Sequence, residues 1–334
     1  MGSRKYIVLA VAAIALFSAG FFSGRFSGVN RARTDTKKRS DLTEMRLGGY
    51  TFINPLLECD IAKNAISDQE IYSFEHLING FVDESKKRKW ATSISVYFRE
   101  MSNGVWFDVN GKEKFAPASL VKVPLLMAYF KAAESDPALL KKKLTFTNMP
   151  DLNSHQNIPP AFSIERGKPY SVHDLLFRAI VYSDNNAYFV LHSNLSMSKR
   201  YKVYSDLGLA IPNVRGPEDS MTVIEYASFF RILFNASYLN REMSEKALSY
   251  MSEVDFKQGL VAGVPGGIAV AHKFGEKTVG ASGEIKQLHD CGIVYYPDNP
   301  YLLCVMSRGD SFEYLDDTIR EISHIVYEEV DRQQ

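Results

Sequence analysis

The sequence predicts a mixed α/β fold in which an antiparallel sheet is drawn from both ends of the folded region and a mostly helical segment lies between them. Apolar and polar residues alternate over 94–109 and again over 268–307, which is the pattern of half-buried strands. The intervening chain is predicted to be helical, with loops near 159–160 and 212–217. At 334 residues and 46% hydrophobic content, the chain can bury one large core or two modest ones.

The first predicted element is an apolar segment at the N-terminus. An uncharged run extends from Tyr6 to Gly24 after Arg4 and Lys5, and its length lies between those of a secretory signal and a membrane-spanning helix. We expect residues 1–24 to be an uncleaved signal anchor that holds the protein at the cell membrane as a single-pass protein. The folded domain would then be extracytoplasmic, or secreted if the segment is cleaved. The basic residues that follow the run favour the opposite orientation, but long C-terminal domains cross largely regardless of charge.

The next segment, residues 25–66, is predicted to be a tether, because residues 25–48 are polar, basic and poor in large apolar side chains. Gly48-Gly49 marks the expected approach to the folded part. The folded domain is residues 67–334. Its sheet part is predicted at 67–115 and 262–334, and its helical part at 116–261.

Inside the domain, a helix is expected to begin at Asp68, because apolar residues recur from Ile71 to Phe81 with helical spacing. A hairpin follows, with strands around 94–98 and 105–109 and a turn at Asn103-Gly104. The C-terminal end supplies three further strands and a last amphipathic helix, at 268–274, 288–296, 301–307 and 312–330.

Charge and cysteine content exclude several functions. The net charge is zero and the pI is near 7, so no nucleic-acid partner is expected. The three cysteines and the scattered histidines lack metal-ligand spacing, and we expect neither a metal nor a cofactor. Cys291 and Cys304 are predicted on adjacent strands, where a disulfide is geometrically possible; the favoured interpretation is that they are small, buried, unbridged side chains.

The sequence Ser119-Leu120-Val121-Lys122 opens an apolar helical run and predicts a nucleophile with its base. A serine three residues before a lysine lies on the same helix face, one turn away. The Ser119 N–H in a first helical turn could form half of an oxyanion hole. Lys122 must be neutral to accept the serine proton, and burial together with a second cation, Lys273, would lower its pKa. A second S-x-x-K match, Ser196 to Lys199, lies in a polar loop and is interpreted as a chance match.

Two further motifs follow in order. Ser183-Asp184-Asn185 comes at a boundary of a buried helix, where the serine could relay a proton and Asn185 could hold a substrate amide. Asp184 is expected to point inward and fix the turn. Lys273 lies on a predicted strand, followed by Gly275, which would let a substrate backbone lie flat, and by Glu276, whose N–H could complete the oxyanion hole. His272 is expected on the opposite face of the strand.

Together these segments resemble the penicillin-recognising serine acyl-transferases, most closely the class A β-lactamases, over about residues 68–330. The resemblance implies a two-part fold, with a five-stranded antiparallel sheet flanked by helices, an all-helical part, and a site in the cleft between them. It implies Ser119 as acylated nucleophile and Lys122 as base. Ser183, Lys273 and Asn185 would then relay protons and bind the substrate.

Two departures from that family affect the expected activity. The third motif usually carries a hydroxyl residue, which helps to bind the substrate carboxylate, where this chain has Phe274. The family also carries a glutamate and an asparagine on a long loop, and that glutamate activates the deacylating water. Residues 205–220 form a shorter segment without that pattern. Glu218 and Asp219 are expected to be carboxylates in the first turn of a helix, where the helix dipole favours them, rather than catalytic groups.

The sequence thus predicts a serine hydrolase that acts on an amide bond of a β-lactam or a cell-wall D-amino-acid peptide, with slow hydrolysis of the acyl-enzyme. Its partners would be that small-molecule or peptide substrate and, through the N-terminal helix, the membrane. The alternative is a catalytically weak cell-wall peptide-binding or sensor domain, which Phe274 favours. Replacing Phe274 by Thr separates the two, because only a detuned enzyme would gain acylation.

Overall fold

The structure is a computed structural model, and it describes residues 41–62, 68–147, 149–212, 219–280 and 283–333. Within these residues the strands are β1 Asp41–Arg46, β2 Leu56–Ala62, β3 Ser93–Glu100, β4 Trp106–Val109, β5 Lys114–Phe115, β6 Lys143–Thr145, β7 Pro169–Ser171, β8 Met221–Thr222, β9 Val270–Val279, β10 Ile285–Val294 and β11 Tyr301–Gly309. The helices are α1 Asp68–Lys87, α2 Lys122–Ala133, α3 Val172–Val181, α4 Asn185–Asn194, α5 Met197–Asp206, α6 Val223–Phe234, α7 Arg241–Ser252, α8 Gly259–Ala262 and α9 Phe312–Arg332. Short 3₁₀ helices occur at Ala118–Val121, Pro137–Lys141 and Asn153–His155.

Five strands form one antiparallel sheet in the order β4-β3-β11-β10-β9. This arrangement confirms the predicted sheet, since β11 joins the early hairpin to the C-terminal strands, with Val305 opposite Val96. β9 lies at an edge of the sheet, pairs only with β10 within it, and is longer than the strand predicted at 268–274. An edge strand leaves one side of its backbone available to a ligand.

The two faces of the sheet contribute to two separate cores, and the alternation of side chains along β11 shows this directly. Leu302 and Met306 belong to the core shared with the helices of the middle segment. Leu303 and Val305 belong to the core that α1 and α9 cover. The predicted helix that begins at Asp68 and the predicted C-terminal helix supply this second layer, because their apolar stripes face the sheet.

Local sequence signals explain where the middle helices begin. Ser171 caps α3, and its hydroxyl accepts the N–H of Asp174 while the Asp174 carboxylate accepts the N–H of Ser171. Thr222 and Glu225 make the same reciprocal pair at the start of α6. Each pair satisfies N–H groups that a helix terminus leaves without a partner. The middle segment also contains two short two-stranded ladders, β5-β8 and β6-β7, that the sequence did not predict.

Part of the predicted tether, residues 25–66, packs on the helical region. β1 and β2 pair with each other within residues 25–66. The Glu245 carboxylate accepts the backbone N–H groups of Thr51, Phe52 and Ile53 at 2.9–3.1 Å. Arg46 donates to the Asn235 side chain at 2.8 Å. These contacts make the approach to the domain part of its folded surface.

The cysteine prediction was wrong. Cys291 on β10 stands directly opposite Cys304 on β11, and the two sulfurs are bonded as a disulfide. Adjacent strands could be inferred from the sequence, but the register that places the two residues opposite each other could not.

The apolar segment 6–24 lies outside the described residues. In the part of the chain that the structure does describe, no helix has the length and hydrophobicity to cross a membrane.

Candidate active site

Ser119 lies in the 3₁₀ turn Ala118–Val121, immediately before α2, rather than in the first turn of an α-helix. Ala118 has a φ of +47°, a left-handed conformation that L-residues seldom adopt. Such backbone strain persists where the surrounding structure holds it, and it is common beside functional groups. The turn leaves Ser119 partly accessible while Leu120 is fully buried beneath it.

Lys122 is the first residue of α2, and its ammonium group is buried with only 2% of the residue exposed. Its Nζ lies 2.9 Å from Ser119 Oγ and 3.0 Å from Ser183 Oγ. It also donates to the Ser183 carbonyl and to Asn185 Oδ1, each at 2.7 Å. The structure therefore brings the first two motifs into one hydrogen-bonded cluster.

The second motif forms the connection between α3 and α4. Ser183 has a φ of +54°, the left-handed conformation again, which turns the chain sharply between the two helices. Asp184 is fully buried and caps α4 by accepting the N–H groups of Asn186 and Ala187. Its second oxygen accepts the N–H of Ile164 at 2.9 Å. Asp184 thus points inward and fixes the turn, as the sequence predicted.

Lys273 reaches the same cluster from β9. Its Nζ donates to Ser183 Oγ at 3.1 Å and to the Phe274 carbonyl at 3.0 Å, and the residue is fully buried. Ser183 Oγ therefore accepts from two lysines. A hydroxyl held between two such groups has a short path for passing a proton in either direction.

Burial dominates the electrostatics of both lysines. It lowers the pKa of Lys122 to about 7, against the opposing charges of Asp184 and Glu276. Burial also lowers the pKa of Lys273 well below its ordinary range, and the charge of Lys122 lowers it further. Burial and the nearby cation Lys273 were both expected to lower the pKa of Lys122. Burial is the cause that lowers the pKa of Lys122 in the structure, whereas the charge of Lys122 contributes to the lowered pKa of Lys273.

Gly275 packs against the nucleophile turn. A Cβ at this position would lie 3.2 Å from the backbone nitrogens of Ser119 and Leu120, so a side chain here would crowd the turn and glycine favours the close approach. This contact places the backbone of Gly275-Glu276 beside the Ser119 N–H. The arrangement fits two backbone donors that converge on a substrate carbonyl oxygen.

An open cavity of about 350 Å³ lies over Ser119. Its lining combines the predicted residues Ser119, Asn185 and Glu276 with a segment that sequence reasoning missed, His155-Gln156-Asn157. Gln156 donates to the Ser183 carbonyl at 3.0 Å, and Asn157 hydrogen-bonds to Glu276. No local pattern marks this segment, since it reaches the site only through long-range contacts with β9 and the second motif.

Phe274 is 4% exposed and stacks on Phe256, with ring centroids 4.3 Å apart. Its aromatic ring also lies 4.1 Å from Lys273 Nζ. The position therefore offers an apolar surface and a cation–π contact where the related family has a hydroxyl.

The expectation for Asp219 was wrong, because this residue does not lie in a first helical turn. Its carboxylate is paired with Arg308 and accepts from Gln287 at 2.9 Å, while Thr222 and Glu225 serve the start of α6. Glu218 lies outside the described residues.

His272 is fully buried, and its Nδ1 lies 2.8 Å from Asp290 Oδ1. The chance match at Ser196 caps α5, where its hydroxyl accepts the N–H of Lys199. Neither residue joins the cluster around Lys122.

Residues 77–330, more than half of the chain, match the profile of the Beta-lactamase enzyme family. The chain belongs to this family, whose fold and chemistry are those of serine hydrolases that act on amide bonds. No match was found among curated proteins.

Solved structures share the fold. The chain is 21% identical to PBP-A, with a TM-score of 0.63 over 78% of this chain and 96% of that one. It is 19% identical to a class A β-lactamase from Mycobacterium abscessus, with a TM-score of 0.64 over 76% and 99%. A PBP-A mutant solved as an acyl-enzyme complex with penicillin G is 20% identical, with a TM-score of 0.63 over 77% and 97%.

Proposed function

We propose that this chain forms an acyl-enzyme on Ser119 with a β-lactam or a cell-wall peptide and hydrolyses it slowly. The observation that supports this most is the buried cluster in which Lys122 Nζ lies within 3.0 Å of Ser119 Oγ, Ser183 Oγ and Asn185 Oδ1. A lysine in this environment reaches its neutral form near physiological pH, which a base for serine requires.

The acylation step follows from these positions. Ser119 Oγ attacks the carbonyl carbon of the substrate amide, and its proton passes to neutral Lys122. The backbone N–H groups of Ser119 and Glu276 would stabilise the oxyanion. When the C–N bond breaks, Ser183 delivers a proton to the leaving nitrogen and regains one from Lys122. Lys273 supports this relay because it donates to Ser183 Oγ.

Slow deacylation is proposed because the described lining of the cavity offers one carboxylate, Glu276, and both of its oxygens already accept hydrogen bonds from Asn157. The shortened 205–220 segment has two described carboxylates: Asp206 is paired with Lys202, and Asp219 is engaged by Arg308 and Gln287. Each of these carboxylates is already held by protein donors, which disfavours its use as the base that activates a water molecule at the ester.

The proposal includes the location of the protein. Export through an anchor at residues 1–24 would place the site where cell-wall peptides occur, outside the cytoplasm and tethered to the cell membrane.

The second candidate function, a peptide-binding or sensor domain with very low turnover, is favoured by one observation. Phe274 presents a buried aromatic ring where a hydroxyl is expected.

Intact-mass spectrometry of the full-length chain with millimolar benzylpenicillin tests the proposal. We expect an adduct of one penicillin mass that persists for hours on the wild type and on Ser196→Ala, and no adduct on Ser119→Ala. Ser196→Ala is the matched control, because it removes the serine of the other S-x-x-K match. An adduct that survives Ser119→Ala would contradict the assignment. Rapid loss of penicillin without an adduct would contradict slow deacylation.

A further inference from the structure

The cavity over Ser119 carries an acidic wall where an anionic substrate would need a cationic one. We propose, building on the function proposed above, that Glu276 and Phe274 make this site select acyl donors without a carboxylate beside the scissile bond. The preferred substrates would be neutral or cationic there, such as an internal peptide bond, a carboxamide or a group with a free amine. Glu276 is the residue that determines this preference.

The hydrogen bonds of Glu276 show which chemistry its carboxylate accepts. Oε1 accepts the backbone N–H of Asn157 at 2.8 Å, and Oε2 accepts the Asn157 side-chain amide at 2.7 Å. Two N–H donors thus meet the two carboxylate oxygens side by side. An amide or ammonium group of a substrate could replace Asn157 in this arrangement without loss of hydrogen bonds, whereas a substrate carboxylate has no proton to donate.

The cation that could offset this charge is withdrawn from the cavity. Lys273 is fully buried, its Nζ is engaged by Ser183 and the Phe274 carbonyl, and the Phe274 ring lies 4.1 Å away. Burial and the charge of Lys122 lower the pKa of Lys273, which disfavours its charged form. Next to Phe274 in the sheet register stands Asp290, a buried carboxylate whose Oδ1 lies 2.8 Å from His272 Nδ1.

Two other residues of the lining can carry positive charge. Lys277 follows Glu276 on β9, and strand alternation directs its side chain away from that of Glu276. His155 is exposed at the rim of the cavity. Glu276 is therefore the charged group that hydrogen bonds to Asn157 hold in place in the described lining of the cavity.

A matched pair of acyl donors isolates the effect. Benzylpenicillin and its methyl ester share the reactive ring and differ in the carboxylate. Acylation of the full-length chain would be followed by intact mass at pH 8, with each rate divided by the rate of ring opening in buffer alone. We expect the methyl ester to acylate the wild type at least about tenfold faster, because a second carboxylate close to Glu276 is repelled in a site of reduced dielectric constant.

Two variants separate the charge of Glu276 from its contact with Asn157. Glu276→Gln keeps the size and the backbone N–H, and we expect it to reduce the ester-to-acid ratio to within about threefold of unity, since a neutral amide does not repel a carboxylate. Asn157→Ala removes the side-chain hydrogen bond to Glu276 but keeps the backbone N–H donor and the charge of Glu276, so the ratio should stay close to that of the wild type. Equal changes of both rates in Glu276→Gln, with an unchanged ratio, would show that Glu276 acts only through its contact with Asn157 and would overturn the proposal.

The remaining outcomes distinguish this inference from the function on which it rests. If the wild type forms a Ser119 adduct equally fast with both compounds, or faster with the acid, the selectivity is wrong while the acyl-enzyme stands. If neither compound modifies Ser119, the proposed function itself fails, and the selectivity with it.

Discussion

The chain contains the pattern S-x-x-K twice, and the two copies share little beyond the serine, the lysine and their spacing. Ser119 and Lys122 lie next to Leu120 and Val123 of one core, and Lys122 is 2% exposed. Ser196 and Lys199 are both exposed at the start of α5. In the first copy the lysine side chain meets the serine hydroxyl at 2.9 Å. In the second the serine accepts the backbone N–H of the lysine and caps a helix.

This difference shows that the S-x-x-K pattern specifies only the spacing between the serine and the lysine. The chemistry comes from long-range neighbours, namely Ser183, Asn185 and Lys273, which surround the first copy. Burial lowers the pKa of Lys122 to about 7. A helix-capping serine beside an exposed lysine has no comparable environment.

The largest expected difference between the two copies appears when each lysine is removed in turn. Lys122→Met keeps the length and apolar character of the side chain but removes the base, and we expect acylation by benzylpenicillin methyl ester to fall by about 10²–10⁴-fold. Lys199→Met should leave the rate unchanged within about twofold, because the side chain of Lys199 is exposed and outside the cluster. Intact-mass spectrometry of reactions quenched at set times gives both acylation rates. A similar loss in both variants would mean that neither lysine acts as the base.

The pH dependence of the acylation rate is a second test of Lys122 as the base. Lys122 accepts a proton only when neutral, so acylation should be lost as the pH falls through about 7 and should level off above it. Below the midpoint the rate should drop about tenfold per pH unit, since the neutral fraction does. The charge of Glu276 raises the pKa of Lys122, so Glu276→Gln should move the midpoint to lower pH. Lys122 and Lys273 both contact Ser183, so their titrations are coupled. The midpoint therefore describes the two lysines together rather than Lys122 alone. A profile that still rises above pH 9 would contradict a base of this kind.

The features predictable from the sequence were those that depend on local periodicity and motif order. The hairpin, the C-terminal strands and the two long helices follow from apolar spacing, and their positions agree with the structure, although β9 extends to Val279 instead of ending at residue 274. The cluster of Ser119, Lys122, Ser183 and Lys273 was expected from three motifs in order. The roles of its members remain a proposal that the experiments above test.

The features that could not be predicted depend on register or on distant partners. The disulfide requires Cys291 to stand opposite Cys304, and a shift of one residue would turn one of them to the other face. The pairing of Asp219 with Arg308 joins residues 89 positions apart. The contact between Asn157 and Glu276 likewise joins a loop to a strand across the cleft. Such contacts leave no trace in a local pattern.

The smallest expected effect is the change in stability when each serine is replaced by alanine. For stability the order of the two variants is the reverse of their order for acylation: Ser196→Ala should lose more stability, whereas Ser119→Ala should lose acylation. Ser196 caps α5 through its side chain, so Ser196→Ala should lower the free energy of unfolding by about 1 kcal/mol. The 3₁₀ turn that holds Ser119 has no side-chain cap, and Lys122 keeps Ser183 and Asn185 as partners when the Ser119 hydroxyl is removed. Ser119→Ala should therefore change stability by less than about 0.5 kcal/mol.

Chemical denaturation of the two alanine variants measures this difference. A larger loss of stability for Ser119→Ala would mean that its hydroxyl holds the turn together, and that the missing adduct in this variant reflects a disturbed site. We expect instead that Ser119 is needed for acylation and that Ser196 is needed for the stability of α5. That result would assign the two copies separate roles, because a single structural defect cannot abolish acylation in one variant and lower stability only in the other.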